Sequence, residues 1–387
     1  NCLINGFNSL TPSSITRSGD VATATYGTAH GYEVDQVLLA SGSDQTAYNG
    51  EIRVLSVPTS TTLTFAVAGT PTTPATTATS FNTKAAPLGF AKIFSGTNKA
   101  MYQSQNVATN QWCLRLDGTA WTGYSAGKGV EYQVDICRSA TDIDTMVENT
   151  TASSAQFGRF RWRQTAASGA VSNTAPTTNI NWALYGNDKM FFFVVAWHSD
   201  FPLGNSIYGF GEVSSYKVGD AYSTYLMADN MGLTGGVAAQ SYPTSTGFKG
   251  EYNKQPLIAT APQSDIVLSK AHTGVGAWAQ GGLSTVGSPN NGVFVSGCLT
   301  SIAAVNPQDF AILFNKSLVT ESAGFRGVLA GIYSTPNQLN DLSPAVSFNG
   351  QKYPYAYLGT SKIFRVASLQ HGLILAFVAF DVTGPWE

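Results

Sequence analysis

Residues 20–68, DVATATYGTAHGYEVDQVLLASGSDQTAYNGEIRVLSVPTSTTLTFAVA, decide the fold class. Four short apolar runs stand in this stretch, Val21 to Tyr26, Gln36 to Ala40, Gly50 to Val57 and Thr62 to Ala68, each separated from the next by turn-forming residues. Spacing of that kind is the mark of an all-β unit. Asn49-Gly50 sits between two of the runs, and both residues tolerate positive φ, so a two-residue type I′ hairpin turn is expected there. A small β-sandwich or barrel accounts for the segment.

Downstream, Gly69 to Thr79 (GTPTTPATTAT) is small, polar and interrupted by proline, with nothing to bury, and reads as a linker. This places a first domain at residues 1–80 and a second at 81–387. After Lys84 the composition turns aromatic, in Phe157 to Trp162, Trp182 to Tyr185 and Met190 to Trp197. No long 3.6-residue pattern capped at both ends appears, so the second domain is also read as β-rich. Short helical turns are expected around Asn230 and Pro336 to Leu342. Surface loops are expected at Gly232 to Gly236 and Gly281 to Asn291, and no fixed-period repeat appears.

Charged residues make up only 11% of the chain, with a net charge of −2, so no basic stripe is available to neutralise phosphates and nucleic acid is not expected as a partner. The most apolar runs, Met190 to Trp197 and Leu373 to Phe380, fall far short of the roughly 20 residues of a membrane helix and read as buried strands. Asn1 to Phe7 has neither a basic n-region nor a long apolar h-region, so no secretory signal is read there. Low charge fits a subunit that buries surface against neighbours, because interface cores are depleted in charge.

Several motifs invite a chemical reading. Gly123-Tyr124-Ser125-Ala126-Gly127 matches the nucleophile-elbow pattern, but Lys128 to Val134 reads as a strand where that motif needs a helix. A hairpin loop joining Leu114 to Trp121 with Glu131 to Ile136 explains Ser125 better. Gly123 to Lys128 is one residue short of a phosphate-binding loop, and Gly129 stands where a hydroxyl residue would hold magnesium. Asp142, Asp144 and Glu148 supply clustered oxygen ligands without the full loop pattern of a calcium site.

His30, His198, His272 and His371 are each isolated and read as core or turn residues. Cys2, Cys113, Cys137 and Cys298 lack the close pairs of a zinc site and read as packing residues in a reducing cytosol. Asp220 after Gly219 suits a tight turn in which the carboxylate accepts backbone N–H groups. Arg326 beside Gly327 is placed to grip a carboxylate with two hydrogen bonds. The aromatic residues could stack on sugar rings, although core and interface packing explains them more simply. The residues themselves assign no catalytic, cofactor-binding or metal-binding position.

A resemblance adds to this reading. His30-Gly31-Tyr32, Asp35-Gln36-Val37, Gly42, Tyr48-Asn49-Gly50 and Leu63-Thr64-Phe65 together resemble the small Ig-like β-sandwich module of many bacteriophage tail and virion proteins. The rest of the chain is similar to structural proteins of phage particles in four segments. These are Leu88 to Phe90 with Phe94 to Tyr102, then Leu114-Arg115-Leu116-Asp117, then Gly209 to Glu212 with Gly219 to Tyr222, and last Phe325 to Tyr333 with Asp381 to Trp386. The chain departs from that pattern at Gly118, where relatives carry a second acid, and at Ala330, where they carry proline.

The resemblance implies no catalytic residue and no cofactor. It implies a structural subunit in the tail or baseplate of a virion assembled in the bacterial cytoplasm, with other virion proteins and further copies of the chain as partners. A capsid decoration or head-fibre protein, and a tail protein that binds a host receptor or surface glycan, are the alternatives the same residues leave open. An envelope-degrading hydrolase is the reading of a different class.

Overall fold

The computed structural model describes residues 1–75, 81–119, 131–149, 160–163, 182–195, 206–230, 266–268, 279–284, 315–321, 324–334, 352–357, 360–371, 374–382 and 386. The chain is mainly β, built from antiparallel sheets, and it divides into two compact units, Asn1–Ala91 and Lys92–Glu387. No helix among the described residues is long and apolar enough to cross a membrane.

The first unit contains β1 (Phe7–Leu10), β2 (Pro12–Ser18), β3 (Val21–Tyr26), β4 (Val37–Ser41), β5 (Gly50–Thr59), β6 (Thr62–Ala66) and β7 (Asn82–Ala85). They form one hydrogen-bonded path in the order β1-β7-β4-β5-β6-β3-β2. The long strand β5 pairs with β4 through Gly50–Arg53 and with β6 from Val54 onward, with register shifts along the second stretch. This strand therefore turns the sheet from one half into the other. Alternate residues of both halves meet in one core that includes Ile15, Ala24, Leu38, Ile52, Leu63 and Phe65. The period-2 burial of β3 and β6 is that of strands packed on one face.

Three expectations for this unit are corrected. First, the β4–β5 connection is not a type I′ turn, because Asn49 has φ −95° and ψ 157°, which is extended backbone. A single 3₁₀ turn at Thr46–Tyr48 carries the chain round instead, and the Asn49 side chain closes the loop against the Ser43 backbone. Asparagine there serves as a surrogate peptide group rather than as a left-handed turn residue.

Second, the described part of Gly69 to Thr79 is not a free linker. Arg17 N–H donates to Thr73 Oγ1 at 2.8 Å, Arg17 Nε to Pro71 O at 3.1 Å, Tyr48 Oη to Thr72 O at 3.0 Å and Ala75 N–H to Ile15 O at 2.9 Å. The stretch straps β2, the edge of the sheet, and satisfies backbone groups that an edge leaves open. Residues 76–79 lie outside the described residues. Third, the first unit ends at Ala91 rather than at residue 80, because β7 returns to pair with both β1 and β4.

The described residues beyond β7 form two further sheets. One has the order β19-β13-β11-β10-β9-β8, with β12 also on β11. Its strands are β8 (Phe90–Gly96), β9 (Lys99–Ser104), β10 (Cys113–Asp117), β11 (Glu131–Ala140), β12 (Met146–Asn149), β13 (Phe160–Arg163) and β19 (Asp229–Asn230). The expected hairpin strands on either side of Ser125 are β10 and β11. Asn230 is in a strand, not a helical turn, because it pairs with Phe160.

The other sheet has twelve strands in the order β14-β15-β16-β18-β20-β21-β22-β23-β26-β25-β24, with β17 on β23. They are β14 (Trp182–Gly186), β15 (Met190–Val195), β16 (Ser206–Glu212), β17 (Ser214–Ser215), β18 (Thr224–Met227), β20 (Ile266–Leu268), β21 (Ala279–Ser284), β22 (Asn315–Glu321), β23 (Gly324–Ser334), β24 (Lys352–Tyr357), β25 (Thr360–His371) and β26 (Ile374–Asp381). Gly281 to Ser284, expected in a surface loop, belongs to β21 and pairs with β20 and β22. Gly232 to Gly236, Pro336 to Leu342 and residues 285–291 lie outside the described residues.

The twelve-stranded sheet curls into a half-barrel. Tyr185 on β14, at one end of the path, stacks on Phe380 of β26 with ring centroids 4.2 Å apart. The inside of the curl holds Phe192, Ile207, Tyr225, Val319, Leu329 and Phe380. On the other face of β15, Phe191 meets Trp162 of the first sheet, and Trp162 also stacks on Tyr208. Strand β15 is thus buried on both faces, which explains its unbroken apolar sequence. Each fully buried phenylalanine contributes about 1.5–3 kcal/mol.

Candidate functional site

Two clusters of charged residues in the second unit take in Asp144, Asp220 and Arg326, three of the residues the sequence singles out. In the first, Asp220 and Arg326 find each other across 106 residues of chain. Asp220 follows the Gly219 turn after β17, and Arg326 lies in β23, to which β17 pairs. Arg326 Nε stands 2.8 Å from Asp220 Oδ2, and Nη2 donates to Asp220 Oδ1 at 3.0 Å, with side-chain exposures of 0% and 1%. The guanidinium also donates to Tyr222 O at 2.7 Å, while Asp220 accepts from Ser215 Oγ at 2.7 Å and from the Tyr222 N–H at 3.1 Å. The carboxylate that Arg326 was expected to grip is the one expected to close the Gly219 turn.

Asn110 extends this network. Its side-chain amide donates to Asp220 O at 2.9 Å and Ser223 Oγ at 2.8 Å, and its N–H donates to Glu212 Oε1. Burial pushes the Glu212 carboxyl up, against the opposing pull of the Asn110 N–H. Gly327 is required beside Arg326, since a Cβ there would lie 2.3 Å from Ser214 O. The sequence offers no period or spacing that would single out Asn110 or Glu212; each is visible only once its partners are in place.

The second cluster surrounds Arg115 on β10. Its Nη2 lies 2.8 Å from Asp117 Oδ2 and 2.6 Å from Asp144 Oδ1, its Nη1 lies 3.4 Å from Asp135 Oδ2, and its Nε donates to Ile143 O. Lys99 Nζ adds contacts of 2.7 Å to Asp144 and 3.6 Å to Asp117. Burial pushes the Asp117 carboxyl up, but hydrogen bonds from Thr119 and the Arg115 and Lys99 charges outweigh it and hold it below the usual carboxylate range. Hydrogen bonds from Lys99 and Arg115 likewise hold Asp144 low.

The three acids considered for calcium therefore point to separate tasks. Asp144 serves the Arg115 cluster, Asp142 Oδ1 accepts the N–H groups of Asp144 and Thr145, and Glu148 faces Arg138 at 3.5 Å. Among the described residues no group of three or more His, Cys, Asp or Glu side chains is arranged to hold a metal ion. At Gly118 a Cβ would lie 2.9 Å from the Tyr132 ring.

His30 is a core residue. Its Nδ1 accepts the Tyr32 N–H at 3.0 Å, and its ring stacks on Tyr32 at 5.5 Å. His371 ends β25 opposite Ile374. Cys113 and Cys137 are buried and stand directly opposite each other on β10 and β11, and Cys2 is half-buried. Ser125, His198, His272 and Cys298 lie outside the described residues.

The surface has a different character where β17 meets β23. Tyr216 is 62% exposed and Val218 98% exposed, and Tyr216 stacks on the exposed Phe325 with centroids 4.6 Å apart. This loop tip offers apolar and aromatic area next to Lys217, on a base fixed by the Asp220–Arg326 pair. No protein-family model matches the chain, and no curated protein matches it.

Proposed function

We propose that the chain is a structural subunit of a bacteriophage particle, placed in the tail or baseplate and assembled with other virion proteins and with further copies of itself. The observation that carries this reading is how its charged clusters are used. Both are spent internally, Arg326 on Asp220 and Arg115 on Asp117, Asp135 and Asp144, while the loop tip at Tyr216, Val218 and Phe325 leaves aromatic and apolar area outside. Buried, mutually neutralised pairs stiffen a framework, and aromatic residues on a rigid base suit a contact surface. The segments that carry the resemblance are the same framework: Asp220, Arg326 and Trp386 each hold one element to another.

Electron microscopy of purified particles with a label directed at this chain tests the proposal. Label at the tail tip or baseplate supports it, label on the head moves the chain to a decoration role, and unlabelled particles overturn it. The exposed Tyr216–Phe325 stack favours one second reading, a tail protein that holds a host-surface glycan, since flat rings stack on sugar faces. Binding of envelope saccharides that is lost in Tyr216→Ser would favour that reading over a purely structural one.

A further inference from the structure

The first sheet of the second unit places two cysteines in direct register. Cys113 of β10 and Cys137 of β11 are Cα partners in an antiparallel pair, and both carry free thiols. Directly opposed residues in such a pair have Cα atoms about 4.5 or 5.5 Å apart. Both spacings fall within the roughly 4.4–6.8 Å that a disulfide spans. Both side chains sit in one small core with Met101, against which Ile93, Phe94, Ala140, Ile143 and Met146 pack.

We propose that Cys113 and Cys137 are a modification site, a dithiol that closes to an intrachain cross-strand disulfide by exchange with a small-molecule disulfide of the oxidised-glutathione class. The Cys113 thiolate attacks one sulfur of the small disulfide and expels the other half as a thiolate, leaving a mixed disulfide on Cys113. The Cys137 thiol then gives up its proton to solvent and attacks the Cys113 sulfur, expelling the second half. Two protein thiols are oxidised, and one small disulfide is reduced to two thiols.

The order of attack follows from the local chemistry. A hydrogen bond from Cys137 lowers the Cys113 thiol below its ordinary range, against the opposing effect of burial. The same hydrogen bond, with burial, raises the Cys137 thiol. Since the thiolate is the attacking species, Cys113 reacts first.

Both thiols are buried, so the reagent gains access when their cover lifts. Among the residues packed against this core, Ile143 and Met146 belong to the 141–146 turn and β12, a strand of four residues whose side chains are half-buried or exposed and which, among the described residues, pairs only with β11. Short edge elements with few buried contacts open at low free-energy cost.

The test is incubation of the folded chain with oxidised glutathione, followed by unfolding, alkylation with N-ethylmaleimide and intact mass. The expected result is a fall from four alkylated cysteines to two, reversed by dithiothreitol, with a peptide map linking Cys113 to Cys137. In Cys137→Ala the closure disappears, and Cys113 carries glutathione or stays reduced. If that variant fails to fold, Cys2→Ser/Cys298→Ser answers the same question, since it must fall from two alkylated cysteines to none. Four alkylated cysteines after oxidation, or links through Cys2 or Cys298 instead, would overturn the proposal.

Discussion

Replacing Asp220 with asparagine keeps the size and one acceptor oxygen of the side chain but removes its charge, leaving the Arg326 guanidinium, 0% exposed, without the Asp220 charge it is paired with. Removing one partner of a buried pair costs about 3–5 kcal/mol, because the remaining charge stays desolvated. A domain has on the order of 5–15 kcal/mol of stability in all, so the loss is a large share of it. With a urea m-value of about 2–3 kcal/mol/M, the unfolding midpoint falls by about 1–2 M.

Two comparisons isolate the cause. Arg138→Ala removes a guanidinium that is 48% exposed and 3.5 Å from Glu148, and is expected to cost under about 1 kcal/mol. Asp220→Leu/Arg326→Met removes both charges and recovers part of the loss, with the Ser215 hydroxyl and the Tyr222 backbone groups left to find other partners. Denaturant unfolding followed by tryptophan fluorescence reads all three variants. If Asp220→Asn shifts the midpoint no further than Arg138→Ala does, the reasoning is refuted.

Tyr225 is 0% exposed and its hydroxyl has no hydrogen-bond partner among the described residues, so Tyr225→Phe is expected to stabilise the chain by about 1 kcal/mol, and a lower melting temperature would count against this. At Gly331, φ is +76° and a Cβ would lie 2.1 Å from the Trp386 ring; Gly331→Ala should displace that indole, seen as a red-shifted emission, at a cost of about 2 kcal/mol or more. The carboxyls of Asp117 and Asp144 lie below the ordinary range, so the stability they lend is present above about pH 4 and lost as pH falls through their folded values. Acid titration of Asp117→Asn should show a shallower loss of stability below about pH 4 than the parent chain. Tyr216→Ser/Val218→Ser should weaken self-association in sedimentation while changing stability by less than about 0.5 kcal/mol, and unchanged association would remove this tip from the contact surface.

What was legible in the sequence followed the period of side-chain burial. Val21 to Tyr26 is β3 to the residue, and the aromatic run from Met190 lies on β15, because alternation and continuous apolar character are local signals. The Thr/Pro stretch after Gly69 misled for a physical reason. Its composition offers nothing to bury, yet its carbonyls and hydroxyls serve the open edge of β2, a role set by a strand more than 50 residues away. The first-unit boundary was missed with it, since β7 is a four-residue strand without an apolar run of its own. Asp220 and Arg326 were each legible as special, but not as a pair, because nothing local to either residue encodes a partner 106 residues distant.

That pair also bears on what the motifs are for. Asp220 is fixed by Arg326, and the Arg326 strand can pass Ser214 only because Gly327 leaves room for the Ser214 carbonyl. Four residues after Gly327 on the same strand, Gly331 leaves room for Trp386, whose indole donates to Asp381 O at 2.9 Å. The spacing Arg-Gly-(three residues)-Gly together with Trp386 is thus one steric arrangement, in which a single strand receives a turn at one point and the Trp386 indole at another. Such a motif constrains how elements lock together and leaves the exposed tip at Tyr216 and Val218 free to vary. Substitutions at the framework residues Asp220, Arg326, Gly327 and Gly331 should therefore cost far more stability than substitutions at the tip.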